Sequence, residues 1–269
     1  MNLDNNNDLV KLSLASSGIF YVTLNNPNNH NVLSKEMMLK IQTSLDKAKT
    51  DKNVRVIIIS AEGPSFSAGH DLKELKAGFL NNDKGKNYFK KIMTQCSALM
   101  QSIIDNPKPV IAQVAGVATA AGCQLIASCD LAYAGKSASF ATPGVNIGLF
   151  CSTPMVALSR NISNKNSMEM LLTGELVSAD KAEKVGLINK AVDDSLLHNY
   201  TLEMALKISK KSSMTLKIGK EAFYKQIDMT LSKAYDYASN VMVKNMLKLD
   251  AEEGIEAFIE KRSPKWKDK

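Results

Sequence analysis

VAGVATAAGCQLIASCD, residues 114–130, is built almost entirely from small or apolar side chains and holds a single amide, Gln124. Eleven of its residues are Gly, Ala, Ser, Cys or Thr. Side chains this small let the backbone approach another group closely, and that group is either a neighbouring helix or a ligand. The rest of the sequence is needed to decide between these two interpretations.

The length and composition are those of a globular protein. The chain has 269 residues, of which 45% are apolar and 23% charged. That is enough for one sizeable domain, or for a domain with a helical appendage. No apolar run approaches the roughly 20 residues that span a bilayer. The opening MNLDNNNDLV lacks the regions of a signal peptide and any Arg-rich presequence. We therefore expect no membrane span and a cytoplasmic location.

The positive charge raises the question of nucleic-acid binding. The formal net charge is +7, but only Arg55, Arg160 and Arg262 are arginines, and nucleic-acid sites favour arginine for bidentate contacts. Lysines flank aromatic residues only in short stretches such as KNYFKK, residues 86–91, which has no arginine. We expect no nucleic-acid partner, because the charge suits a small anionic ligand at least as well.

The cysteines suggest neither a disulfide framework nor a metal site. Cys96, Cys123, Cys129 and Cys151 contain no CxxC pair and no zinc-type spacing with the histidines. We expect reduced thiols and no metal. The single tryptophan, Trp266, is predicted to be a packing anchor.

Hydrophobic periodicity predicts alternating strands and helices, followed by a helical stretch from 195 to 262. Two strands and a helix recur loosely, which suggests a stack of similar turns. We expect an α/β architecture with a C-terminal helical part. The predicted strands are 9–14, 19–24, 54–60, 109–114, 130–135 and 138–143, and the clearest early helices are 34–49, capped by Ser34, and 84–105.

The segment SFSAGHDLKEL, residues 65–75, places backbone next to a predicted helix start. Gly69 permits an unusual backbone angle, and Asp71 can cap a helix that begins at Leu72. The N–H groups near His70 would then be unpaired and aimed at an anionic or carbonyl oxygen. The alternative is an ordinary loop between a strand and a helix.

The opening stretch allows the same two interpretations. Its small residues fit a close-packed helix, and they also fit a helix start whose N–H groups near Ala121 and Gly122 are exposed to a ligand. Two N–H groups that converge on one carbonyl oxygen form an oxyanion hole, which stabilises an enolate.

Five motifs, in this order and spacing, resemble the enoyl-CoA hydratase/isomerase (crotonase) superfamily over about residues 10–262. They are FSAGHDLKEL, AGVATAAGCQLIASCDLAYAG, SFATPGVNIGL, TGELVSADKAEKVGLINKAV and FIEKR. The resemblance implies a crotonase-like spiral of ββα turns over residues 1–195 and a C-terminal helical trimerisation region over 196–269. It also implies a homotrimer or dimer of trimers, an acyl-CoA thioester as substrate or ligand, a role in fatty acid metabolism, and no further cofactor.

By motif position, the resemblance implies that the thioester oxygen meets the backbone N–H groups of His70 and Ala121. The backbone around Ala68 and His70 would hold the adenine, Leu72 would line the pantetheine path, and Lys73 would lie near the phosphates. Phe258 and Lys261 match positions that reach a CoA bound to a neighbouring subunit. The residues implied to contact CoA are Ala68, His70, Asp71, Leu72, Lys73, Phe258 and Lys261.

Two departures from the family pattern bear on the reaction. A hydratase, which is a lyase, adds water with two glutamates, and the resemblance places them where this chain has Gln124 and Gly144. An amide and a glycine cannot exchange protons as a carboxylate does. We expect acyl-CoA binding with very slow or absent hydration. Another reaction that uses an oxyanion hole, such as decarboxylation, and a non-catalytic acyl-CoA-binding or regulatory role remain open.

Two further side chains could substitute for the glutamates. The His70 ring titrates near neutrality and could act as an acid or base, but we favour a role for its backbone alone. Cys151, in GLFCSTP, is predicted to be an ordinary pocket residue, because no partner base for a thiol nucleophile is visible in the sequence.

Overall fold

The structure, a computed structural model, describes residues 8–269. The strands are β1 (Val10–Leu14), β2 (Ile19–Leu24), β3 (Val56–Ala61), β4 (Ser65–Ser67), β5 (Val110–Val114), β6 (Val117–Thr119), β7 (Leu131–Gly135), β8 (Ser139–Ala141), β9 (Val177–Ser178) and β10 (Lys190–Val192). The helices are α1 (Lys35–Thr50), α2 (Leu72–Gly78), α3 (Lys86–Ile104), α4 (Ala121–Ser128), α5 (Ser152–Asn161), α6 (Asn164–Thr173), α7 (Ala179–Val185), α8 (Leu197–Ser209), α9 (Ser213–Gln226), α10 (Leu231–Met246) and α11 (Leu249–Ile259).

The strands form two sheets. The six-stranded sheet has the order β1-β2-β3-β5-β7-β10, and the four-stranded sheet has the order β4-β6-β8-β9. Pairing is parallel except between β1 and β2 and between β8 and β9. Successive segments of chain give one strand to each sheet and then a helix, as in β3, β4, α2 and β5, β6, α4. The expected α/β spiral of ββα turns is confirmed.

The predicted elements agree with the structure, with shifted ends. Ser34 caps α1, since its side chain accepts a hydrogen bond of 3.1 Å from the Met37 N–H. The apolar face of this helix is buried in the main core. The predicted strand 138–143 is shorter, because Pro143 opens a 3-10 helix over 143–147 and a proline lacks the N–H that continues a ladder.

The C-terminal part is helical, as predicted, and is divided into four helices. α8 covers the outer face of the six-stranded sheet, where Leu197 and Ala205 share an apolar cluster with Ile19, Ile58 and Ile111. In the described chain, no residue of α9 or α10 is buried as a whole, although the Lys220 side chain of α9 is 8% exposed. Within residues 8–269, no helix has the length and apolar character needed to cross a membrane.

A buried charged cluster attaches α9 to the core. The Lys220 Nζ donates hydrogen bonds to Asp130 Oδ2 at 2.7 Å, to the Ile103 carbonyl at 2.9 Å and to the Lys108 carbonyl at 3.1 Å. The Tyr224 hydroxyl donates to Asp130 Oδ1 at 3.0 Å. Because every donor of the ammonium group has an acceptor, this buried ion pair fixes the position of α9.

The residues after α11 fold back over it. The Trp266 Nε1–H donates to the Lys210 carbonyl at 2.8 Å, and its ring packs against Gly254. Asp250 accepts hydrogen bonds from the backbone N–H of Asp268, whose side chain pairs with Arg55 at 2.7 Å. Trp266 is a packing anchor, as predicted.

Candidate active site

Two neighbouring parallel strands bring the two predicted site segments together. β4 and β6 pair in parallel, with Ser67 opposite Ala118. Parallel strands end at the same edge of a sheet, so the residues that follow them meet there. The chain after β4 carries Gly69 and His70, and the chain after β6 carries Ala121.

Gly69 sets how closely these segments approach. Its φ is +87°, and a Cβ built there would lie 2.9 Å from the Ala120 Cβ and 3.2 Å from the Ala121 nitrogen. Only glycine fits such a contact at this backbone angle. Within residues 8–269, neither the His70 N–H nor the Ala121 N–H has a hydrogen-bond acceptor. The arrangement therefore leaves two unpaired donors on adjoining segments.

The small residues of α4 serve packing as well. All eight residues of this helix are buried. A Cβ at Gly122 would overlap the Ser67 carbonyl and lie 2.8 Å from the Ser67 Cβ. The first intrahelical acceptor is the Ala120 carbonyl, bonded by the Gln124 N–H at 3.0 Å. The tight packing of α4 agrees with the first interpretation of the opening stretch. Within residues 8–269 the first N–H groups of α4 are also unpaired, and their contact with a ligand stays a prediction.

Gln124 lies one helical turn after Ala121 and therefore on the same face of α4. It is 4% exposed, and its Oε1 is 3.9 Å from the Cys96 Sγ on α3. Burial raises the pKa of Cys96 to about 12, so this thiol stays protonated. Neither group can accept and return a proton near neutral pH.

Gly144 is enclosed by the segment 149–151. A Cβ there would lie 2.7 Å from the Leu149 carbonyl oxygen and 2.9 Å from the Cys151 Sγ. Burial also raises the pKa of Cys151, and the Gly144 backbone opposes that shift only in part. Because a raised pKa keeps the thiol protonated, it is a poor nucleophile. This agrees with Cys151 as an ordinary pocket residue.

The His70 ring is buried and isolated. Neither ring nitrogen has a hydrogen-bond partner among the described residues. Burial lowers the pKa of His70 because the interior disfavours the imidazolium. The Leu33 backbone lies nearby and raises the pKa of His70 by less than burial lowers it. It forms no hydrogen bond with either ring nitrogen. The imidazole is therefore neutral at neutral pH.

Asp71 is a helix cap. Its carboxylate accepts hydrogen bonds from the Lys73 N–H at 2.8 Å and the Glu74 N–H at 3.3 Å. Leu72 and Lys73 are exposed on the first turn of α2, next to the site. The exposed Ala68 donates its N–H to the His30 carbonyl and accepts from the Thr119 hydroxyl at 3.1 Å.

Phe258 and Lys261 lie at the end of α11. Phe258 is 85% exposed. In the described part of the chain, no hydrogen bond joins α11 to β4, α2 or α4. The CoA contact implied for these two residues stays a prediction.

Sequence reasoning missed two residues at this edge. Ala120 has φ +50°, a backbone angle that its residue type does not reveal. Thr142 precedes the 3-10 helix over 143–147, and its hydroxyl is fully buried without a partner among residues 8–269. In the same part of the chain, no group of three or more His, Cys, Asp or Glu side chains could hold a metal ion.

The chain is similar to several known proteins along most of its length. It is 48% identical over 249 residues to mouse (Mus musculus) enoyl-CoA hydratase domain-containing protein 3, covering 93% of this chain and 81% of that protein. The name of that relative carries the word mitochondrial. It is 29% identical over 254 residues to 2,3-dehydroadipyl-CoA hydratase from Escherichia coli, covering 93% and 95%.

Solved structures give the same result. The crystal structure of human enoyl-CoA hydratase domain-containing protein 3 matches with a TM-score of 0.92 and 45% identity, covering 96% of this chain and 100% of that one. An enoyl-CoA hydratase from Mycobacterium smegmatis matches with a TM-score of 0.91 and 42% identity, covering 96% and 99%. The sequence profile described as enoyl-CoA hydratase/isomerase matches residues 15–269. The chain therefore belongs to the enoyl-CoA hydratase/isomerase family.

Proposed function

We propose that this chain binds an acyl-CoA thioester and holds its carbonyl oxygen between the backbone N–H groups of His70 and Ala121. The observation that carries the proposal is the close contact at Gly69, which sets these two unpaired donors on adjoining segments. Such donors stabilise the negative charge that develops on the oxygen when an enolate forms. Because the His70 ring is neutral, the two backbone N–H groups stabilise this negative charge.

The CoA moiety is assigned to residues around the same edge. Ala68, Leu72 and Lys73 are exposed beside the site, and Asp71 fixes the start of α2 that carries two of them. Phe258 and Lys261 would reach the CoA of a neighbouring subunit in a homotrimer or dimer of trimers. The large apolar side chains exposed on α9 and α10, among them Phe223, Leu231 and Met242, support an assembly that covers them.

We propose that hydration is weak or absent. Gln124 and Gly144 occupy the two positions at which the family pattern has glutamates, and the nearby Cys96 and Cys151 thiols are kept protonated by burial. A non-catalytic acyl-CoA-binding or regulatory role is the second candidate. The observation that favours it is the enclosure of Gly144, which leaves no room for a carboxylate at that position.

Ala121→Pro tests the assigned donor directly. Ala121 is the first residue of α4, where proline breaks no intrahelical hydrogen bond and deletes one N–H. Proline also restricts the backbone of the residue before it, and Ala120 has φ +50°, so the result counts only for a variant whose fold is retained. We expect acyl-CoA binding to weaken about tenfold or more, or any turnover to fall about 100-fold. The measurement is calorimetric titration with butyryl-CoA, with the melting temperature as a folding control. Unchanged affinity in a folded variant would rule out the Ala121 N–H.

The reaction is tested with a panel of enoyl-, malonyl- and β-hydroxyacyl-CoA esters. Thermal stabilisation and product mass are followed together. Stabilisation with a new product would identify an enzyme, and stabilisation without product would favour the binding role. Hydratase turnover at ordinary metabolic rates would contradict the proposal that hydration is weak. No stabilisation by any ester would contradict the proposed ligand.

The cytoplasmic location remains a prediction. The name of the mouse relative carries the word mitochondrial, so the two compartments need to be distinguished directly. Fractionation of cells that express the native protein separates them.

A further inference from the structure

The hairpin formed by residues 72–91 has a strongly biased surface. It comprises α2, the connecting loop 79–85 and the first turns of α3, and we refer to it as the basic tip. Phe79 is 65% exposed and Leu80 is 86% exposed in its loop. The same hairpin carries six lysines and two acids, Glu74 and Asp83. The lysines are Lys73, Lys76, Lys84, Lys86, Lys90 and Lys91.

Packing beneath the loop holds these apolar side chains outward. The Phe79 and Phe89 rings meet edge to face with centroids 4.9 Å apart. A Cβ at Gly78 or Gly85 would collide with the Phe89 ring at 2.9 Å or less, so both positions require glycine. Asp83 accepts hydrogen bonds of 2.9 Å from the Gly85 N–H and the Asn87 N–H. The loop is a built turn, and it presents Phe79 and Leu80 to solvent.

The positive charge of the basic tip is uncompensated by ion pairs. None of its six lysines forms an ion pair with any residue of the described chain. Of the two acids, Glu74 accepts the Lys35 N–H and Asp83 caps the loop. Clustered lysines of this kind raise a local positive potential that attracts anionic surfaces.

The shape and charge of the basic tip discriminate between occupants. A second copy in a two-fold contact would bring the same lysines face to face, which is repulsive. Nucleic acid is disfavoured because the tip has lysines only and no arginine. A pair of exposed apolar side chains in a lysine-rich hairpin has the character of a segment that enters the headgroup layer of an anionic membrane.

We propose that the basic tip docks this protein on a bilayer that contains anionic phospholipid. Phe79 and Leu80 enter the boundary between headgroups and acyl chains, and the lysines contact the phosphates. The basic tip shares Leu72 and Lys73 with the proposed CoA contacts. Phe79, Leu80, Lys84 and Lys86 lie outside that set, so an inference tested at these four residues does not depend on acyl-CoA binding. It concerns attachment to one leaflet, without a spanning segment.

Vesicle sedimentation with the full chain tests the inference. Vesicles of phosphatidylcholine and phosphatidylglycerol in a ratio of about two to one are compared with phosphatidylcholine alone. We expect binding to the mixed vesicles only, weakened by high salt. Phe79→Ser with Leu80→Ser, and separately Lys84→Gln with Lys86→Gln, should each weaken binding by about tenfold or more, since each lysine near such a surface contributes about fivefold.

Matched controls lie elsewhere on the surface. Leu176→Ser removes an exposed leucine, and Lys165→Gln with Lys184→Gln removes two exposed lysines without ion pairs in the described chain. These should leave vesicle binding within about twofold. Equal weakening by controls and tip variants would overturn the inference. So would absence of vesicle binding, binding to polyglutamate in place of vesicles, or a change in oligomeric state of the Phe79 and Leu80 variant in sedimentation velocity.

Discussion

Single glycines allow the segments of the candidate site to pack closely against each other. At Gly122 an added methyl group would meet Ser67 backbone, which cannot move without disturbing β4. We expect Gly122→Ala to lower the free energy of unfolding by about 1–3 kcal/mol, the usual cost of overpacking. Urea unfolding measures the change.

The chain supplies a matched control for this substitution. Gly219 lies inside α9, and nothing within 4 Å would meet its added Cβ. Gly219→Ala should raise the free energy of unfolding by about 0.5–1 kcal/mol, because alanine is the better helix former. If both variants shifted stability in the same direction, the close contact with Ser67 would not be the cause.

His70 gives the molecule a pH dependence. Burial lowers its folded pKa below the ordinary 6.5, so at intermediate pH the unfolded chain binds more protons than the folded one. The contribution is fully present above pH 6.5 and is lost as the pH falls through the folded pKa. We expect less stability lost between pH 7.5 and 5.5 in His70→Gln than in the parent chain. Equal losses in urea unfolding would contradict this origin.

At this scale, some of the site could be read from the sequence and some could not. Asp71 as a helix cap follows from its residue type and place, and the structure bears it out. Gln124 and Gly144 stood out through the family pattern. The positive φ of Ala120 could not be foreseen, because tertiary contacts impose it against the preference of alanine.

Among the elements, α9 depends on one buried cation. The Lys220 side chain is 8% exposed, and each hydrogen of its ammonium group has an acceptor. Lys220→Met would therefore leave the Asp130 carboxylate largely buried without its cation. We expect a loss of about 3–5 kcal/mol in the free energy of unfolding. Lys225→Met, in the same helix, breaks only the exposed pair with Glu221 and should cost about 0.5 kcal/mol. Similar losses in chemical denaturation would show that burial is not decisive.

The sequence predicted most elements and their ends within a few residues, because apolar periodicity and caps are local signals. The order of strands in the two sheets is not local. β5 lies between β3 and β7, and nothing in the residues 110–114 specifies those partners. The family resemblance implied a spiral of ββα turns, and the structure supplies the order of the strands.

For the molecule as a whole, we expect the apolar side chains exposed on α10 to determine the oligomeric state. In the proposed trimer they are covered, so Met242→Glu should bury a charge in the contact and shift the protein to a smaller species. Light scattering coupled to gel filtration measures the mass. Leu39→Glu, at an exposed leucine on α1, should leave the mass unchanged. A parent chain that is already monomeric would refute the proposed assembly.

The enclosure of Gly144 also limits how an acidic side chain could be engineered into this edge of the sheet. A Cβ at position 144 would lie 2.7 Å from the Leu149 carbonyl oxygen and 2.9 Å from the Cys151 Sγ, so a glutamate placed there alone would overpack the site. The segment 149–151 would have to move first. A carboxylate at position 144 therefore requires a rebuilt loop as well as a changed residue.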